Sequence, residues 1–267
     1  MKMDNSGYVA ISNLQLILSI SLVLIAGLVS AFLKLGLLKS LLWGTFRAFI
    51  QLTIIGYVLT YVFALNNILI VIILLLLMSL IASREASKRI NKAPVNPSII
   101  AFIALTASTF LVGSLVVGVI ITPEPWYSPR VVIPIFGLIL GNSMNGIALS
   151  LDRMYSEVNV SYEEVEQLLC FGATPWEAVQ EQVRNAMKAG MTPIINSLMI
   201  VGLVSLPGIM TGQILAGMEP QSAVRYQFVI LIMVAAAAAI GCLIIIGLSY
   251  KKMFTDDMAL KQVMRDN

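Results

Sequence analysis

The chain has 267 residues, of which 58% are hydrophobic and only 12% charged, with a formal net charge of +3. Soluble domains carry roughly 25% charged residues, so this composition excludes a large water-exposed globule and describes a polytopic membrane protein, read as one transmembrane domain over residues 1–267. The small net charge, with no basic run of five or more, excludes a nucleic-acid binder. The absence of histidine removes imidazole from any metal site or acid–base step.

A membrane-crossing helix needs about 20 mostly apolar residues. In chain order the sequence predicts seven: 14–33, 44–65, 68–83, 98–121, 131–151, 191–217 and 224–250. The expected fold is therefore all-α, with about seven transmembrane helices. The first stretch is too long for a signal-peptide core and has only Lys2 before it, so it is read as a retained span. The second opens with Arg47 and Gln51, one turn apart on one face. Asn66-Asn67 separates the second from the third, which suggests a tight helical hairpin.

In the fifth span, Gly141-Asn142-Ser143-Met144-Asn145-Gly146 sets polar groups in a row. An unpartnered buried amide costs roughly 1–3 kcal/mol, so these residues should face protein or water. Gly137 and Gly141 form a G-x-x-x-G, which equally suits close helix packing. Packing and the lining of a pathway both stay open.

Between the fifth and sixth spans lies the longest hydrophilic stretch, residues 152–190. Ser161-Tyr162-Glu163-Glu164 fits a capping box. The helix behind it would carry Tyr162, Val165, Leu168 and Leu169 on one face and stop at Gly172. Thr174-Pro175-Trp176-Glu177 repeats the start signal, with Pro175 suited to the first helical position. Trp176, Val179, Val183, Ala186 and Met187 then recur at helical spacing. Six acids and no base lie between Arg153 and Arg184. One reading is a solvated loop whose apolar stripes pack on the membrane domain. The other is a coupling helix pair that docks a soluble ATPase, with Trp176 as an anchor, because aromatics are enriched at binding hot spots.

In the sixth span Pro207-Gly208 falls near the middle. Proline in a helix interior costs about 3 kcal/mol, and broken backbone at membrane depth needs protein or a water-filled cavity around it. The break reads as a static kink or as a hinge, flanked by Asn196, Met210 and Gln213. In the seventh span, Ala235 to Ala239 followed by Gly241 suggests a close-packing face.

Lysine and arginine placement sets the expected orientation. With the N-terminus outside, all 17 fall on the inner side except Lys2, Arg130 and Arg225. The 152–190 stretch and the C-terminus are then cytoplasmic. All 14 acids lie in loops, tails or interfacial segments, so an intramembrane carboxylate for proton coupling is missing. A phosphate-binding G-x-x-x-x-G-K-[ST] loop is missing too. Energy for transport, if transport is the job, must arrive from elsewhere. Cys170 and Cys242 are expected to stay reduced. The 14 methionines are scattered and read as apolar filler, so no metal-ligating set is assigned.

Glu166-Gln167-Leu168-Leu169-Cys170-Phe171-Gly172 resembles the E-A-A-x-x-x-G loop of ABC-transporter permeases, with Glu166 and Gly172 matching in type and spacing. A longer likeness runs from Leu169 to Gln227, through F-G-A-T-P-W-E-A, V-G-L-V-S-L-P-G-I-M-T-G-Q-I-L-A-G and A-V-R-Y-Q. Arg47 to Leu52 and Gly141 to Met144 agree with it. These pieces are similar to the FetB family of iron-export ABC permeases. That resemblance implies a separate ATPase carrying ATP and magnesium, no cofactor on this chain, a pair of permease copies in a bacterial inner membrane, and export of iron or another metal species. Plant relatives linked to aluminium tolerance make the cargo the least transferable part. Under it Glu166, Gly172, Ala173, Thr174, Pro175, Trp176 and Glu177 would dock the ATPase. Gln51, Asn142, Ser143, Met144, Asn145, Asn196, Pro207, Gly208, Met210 and Gln213 would line the pathway or hinge. The rival readings are a carrier or channel working alone and a membrane scaffold or sensor that transports nothing. An enzyme is not expected, since no nucleophile–base pair is visible.

Overall fold

The computed structural model describes residues 12–90 and 96–261. Lys2, Lys92 and Arg265, which entered the charge count, lie outside them. Among the described residues the regular structure is helical throughout: α1 (Asn13–Phe32), α2 (Leu38–Leu65), α3 (Ile68–Ser87), α4 (Ser98–Leu115), α5 (Pro129–Val160), α6 (Tyr162–Cys170), α7 (Pro175–Ile200), α8 (Gly208–Leu215) and α9 (Pro220–Ser249). A π-helical turn, Val116–Ile121, extends α4.

Six of these are long and apolar enough to cross a membrane: α1, α2, α3, α4 with its π turn, α5, and α9 with the 3₁₀ turn that follows it. Helices suit that solvent because they satisfy every backbone N–H and C=O within the segment. Their outward faces are apolar and exposed, as Leu52 and Leu69 illustrate. In water such a surface would aggregate; here it is the lipid face.

The expected sixth span, 191–217, is not one helix. Its first part is the tail of α7, which begins back at Pro175 and ends at Ile200. The chain then turns at Val201, extended at ψ 137°, and at Gly202, left-handed at φ +80°. The helix therefore stops seven residues before Pro207. Pro207-Gly208 does not break a helix at its centre: Pro207 immediately precedes α8, and Gly208 is its first residue. Proline at a helix start loses nothing, because the first turn has no acceptor for its N–H.

The helices group into two compact units. The first holds α1 and α2, with residues 211–223. Ser12 and Gln15 close a reciprocal capping box at the start of α1. Asn66 ends α2 in the left-handed conformation at φ +40°.

The second unit, residues 67–210 and 224–267, holds the core. Asn67 caps α3 through its side-chain oxygen, 2.8 Å from the Leu69 N–H. Here α5, α7 and α9 meet at Gly146, Gly190 and Cys242. A Cβ on Gly190 would sit 2.7 Å from the Gly146 carbonyl oxygen, 2.8 Å from Ser150 Cβ and 3.0 Å from Cys242 Sγ. Only glycine permits that contact. The sequence had pointed to Gly137 and Gly141 for close packing. Gly137 does meet Met78, but Gly141 has open space where its side chain would be. Of the alanine run in α9, Ala237 and Ala238 are fully covered, while Ala236 is exposed. Gly241 beside it leaves no room for a methyl against Ile147.

Candidate functional site

Two places carry chemistry, and α7 joins them. At one end of α7 is the hydrophilic hairpin. The α5 helix runs on to Val160, so a single residue, Ser161, separates it from α6. This overturns the capping box expected at Ser161. Its backbone, at φ −97° and ψ 25°, is not extended, and its side chain makes no cap. The Ser161 hydroxyl instead donates to the Glu157 carbonyl at 2.8 Å and accepts from Gln182 Nε2 at 2.9 Å. That second bond ties the α5–α6 corner to α7.

The stop after α6 is a Schellman turn. Gly172, at φ +92°, donates to the Leu169 carbonyl, and Ala173 donates to the Leu168 carbonyl, each at 3.0 Å. Two residues on, Thr174 starts α7 with the expected reciprocal box. Its side chain accepts from the Glu177 N–H at 3.4 Å, and its N–H donates to the Glu177 carboxylate at 2.8 Å. The Thr174 hydroxyl donates to the same carboxylate at 2.7 Å. These two bonds hold the Glu177 carboxyl below its ordinary range.

Inner faces of the hairpin are packed. Val165 and Val179 are fully buried, in one cluster with Tyr155, Val158, Met253 and Phe254. Burying each valine is worth about 1.5–3 kcal/mol. The packed-stripe reading therefore holds for the inner face. On the other side, Phe171 at the corner is 89% exposed, and Trp176 is 43% exposed with its ring edge-to-face on Tyr250 at 5.2 Å. Glu166 accepts from the Tyr162 hydroxyl at 3.0 Å. Pro175 occupies the first helical position of α7. The seven expected docking residues thus share one corner; Phe171, its most prominent side chain, was not among them.

At the other end of α7 is a cleft of about 270 Å³. It is walled by the middle of α5, the end of α7, the turn that follows, and the first turns of α9. Of the expected pathway residues, Asn142 and Pro207 line it. The rest scatter. Ser143 is fully buried, Met144 packs against the core, and Asn145 accepts from Arg89 Nη1 at 2.6 Å. Asn196 is exposed, Gly208 meets nothing within 4 Å, and Met210 is half-buried. Gln51 on α2 and Gln213 belong to the other unit. Sequence reasoning missed Ser197, Ser205 and Gln227. Gln227 had a signal, a lone amide at the start of a long apolar run. The two serines had none. Among the described residues, no three His, Cys, Asp or Glu side chains gather as a metal site would require.

A family profile described as "Uncharacterised protein family (UPF0014)" matches residues 13–254. The chain belongs to this family of membrane proteins. It is 39% identical to the UPF0014 membrane protein YjkA of Bacillus subtilis over 93% of this chain and 98% of that one. It is 35% identical to the probable iron export permease protein FetB of Escherichia coli, over 91% and 93% of the two chains. It is 31% identical to the protein ALUMINUM SENSITIVE 3 of Arabidopsis thaliana, over 87% and 84%. No solved structure matches it. The sequence's resemblance to the FetB family is borne out.

Proposed function

We propose that this UPF0014 chain is the permease subunit of an ATP-binding-cassette exporter, driven by a separate ATPase and carrying iron or another metal species. The observation that carries this reading is the continuity of α7. One helix of 26 residues, about 39 Å at 1.5 Å per residue, begins at the capped corner and ends at the cleft. A push on the corner reaches the cleft without crossing a loop. Further support comes from the FetB relative, named as a probable iron export permease.

In this reading the corner faces the cytoplasm, the N-terminus lies outside, and two permease copies pair with two ATPases that bind ATP and magnesium. Phe171 and Trp176 enter a socket on the ATPase, while Glu163, Glu164 and Glu181 meet basic rims. Closure of the ATPase pair drives α7 along its axis and reshapes the cleft around Asn142 and Pro207. The chain itself hydrolyses nothing.

Co-purification with the ATPase tests the docking step. Deleting residues 171–177 should abolish capture of the ATPase from a co-expressing membrane, and Phe171→Asp, which leaves the caps in place, should weaken it while keeping the thermal transition in detergent. Undiminished capture overturns the docking role. Full-rate solute flux by the isolated chain in vesicles would favour a carrier working alone.

A further inference from the structure

We infer that the cleft at the end of α7 binds a small uncharged solute that donates hydrogen bonds, and not a bare metal ion. Gln227 lies seven residues into α9, about 10 Å along the helix, and is 5% exposed. Its side-chain oxygen has no hydrogen-bond partner. A buried amide left this way is costly unless something arrives to satisfy it. Around it the cleft presents further acceptors. Asn142 donates its amide to the Leu138 carbonyl at 2.9 Å, which leaves Oδ1 free. Ser197 donates its hydroxyl to the Pro193 carbonyl at 3.0 Å and keeps its lone pairs. Ser205 adds a hydroxyl at the rim.

Oxygen acceptors also suit hard cations, so charge decides between the two occupants. No charged side chain lines the cleft, and most of its wall is aliphatic, as with Ile194 and Val234. A cation there would lose its hydration with no counter-charge to replace it. A neutral molecule with an apolar body and hydroxyl or N–H groups satisfies Asn142 directly, and Gln227 once its enclosed amide turns to the cleft, at no such penalty. Calling this molecule cargo rests on the transport reading. It then follows that a metal passes this point only inside a complex whose net charge is masked.

The test uses the detergent-purified full chain without ATPase, so failure of the docking model leaves it unaffected. The probe is resorcinol, whose two hydroxyls donate but are badly placed to chelate a metal. Saturation-transfer NMR titrations should show saturable binding to the natural chain. Gln227→Leu should weaken binding about 10-fold. Gln227→Met serves as a second variant without an amide and should weaken binding as much. Gln182→Leu, at a buried amide away from the cleft, should leave binding unchanged. The inference also requires Gln227→Leu to be at least as thermostable as the natural chain, since it removes an unsatisfied polar group. It is overturned if resorcinol fails to bind, if both Gln227 variants bind it as well as the natural chain does, or if Fe²⁺ alone binds saturably and loses that binding in the Gln227 variants.

Discussion

The two ends of α7 are built on opposite principles. At the corner the turn itself is closed: a Schellman turn ends α6, and Thr174 and Glu177 satisfy each other's backbone and side chain, while Ser161 caps nothing and Gln182 keeps one unpartnered oxygen. At the cleft, Gln227 holds an unpartnered oxygen, and the turn after Ile200 exposes Leu203 and Val204 almost fully. Satisfied groups resist rearrangement, whereas unsatisfied ones leave room for another partner to bind. Under the proposed function, the closed end would receive force and the labile end would meet a ligand.

That contrast can be broken most severely at the crossing between the ends. Gly190→Ala places a methyl against the Gly146 carbonyl and Ser150. It should cost about 2–3 kcal/mol by overpacking, measured as a lower detergent unfolding midpoint. Gly141→Ala, where nothing lies within 4 Å, should be neutral or stabilise by up to about 1 kcal/mol. Equal losses at both glycines would contradict the packing described here.

A second substitution separates docking from folding. Phe171→Asp removes the exposed corner ring and should weaken ATPase association about 30-fold, the scale of a hot-spot residue. Stability should stay within about 0.5 kcal/mol, as for other surface changes. Surface plasmon resonance against purified ATPase, paired with a thermal melt, reads both.

Smaller effects sharpen the account of the corner. Thr174→Ala should destabilise by about 1 kcal/mol through the lost cap. Glu177 adds a pH dependence. Its folded pKa lies below the unfolded value, so its contribution is complete above the unfolded pKa and fades as pH falls through the folded one. The midpoint difference between the natural chain and Glu177→Gln should therefore shrink as pH drops from about 7 to about 3. A constant difference would show that the carboxylate charge plays no part.

Much of this architecture was legible in the sequence because its causes are local. Apolar runs of about 20 residues mark membrane helices, and the second cap and the Gly172 stop follow from residue types at fixed spacing. The Ser161 cap failed for a non-local reason: α5 runs uninterrupted into the corner, and Gln182, 21 residues away, recruits the hydroxyl. The early end of α7 was hidden because Val201-Gly202 carries a weaker breaker signal than Pro207-Gly208. Gly190 and Gln227 gain their meaning only from α5, α7 and α9 meeting, which no spacing within one segment reveals. The likeness to FetB lay in long motifs, and the 35% identity to the Escherichia coli protein bears it out.

The central claim is that α7 carries motion from corner to cleft as one body. Spin labels at Glu181 and Met199, both exposed on α7, report on the rod; labels at Met199 and Phe228 span the cleft. Both pairs are introduced as cysteines after Cys170 and Cys242 are replaced. Pulsed dipolar distances are then compared in the ATPase complex with and without trapped nucleotide. The account predicts an unchanged 181–199 distance and a shifted 199–228 distance. A rod that changes length, or a cleft that stays fixed when nucleotide binds, would contradict it.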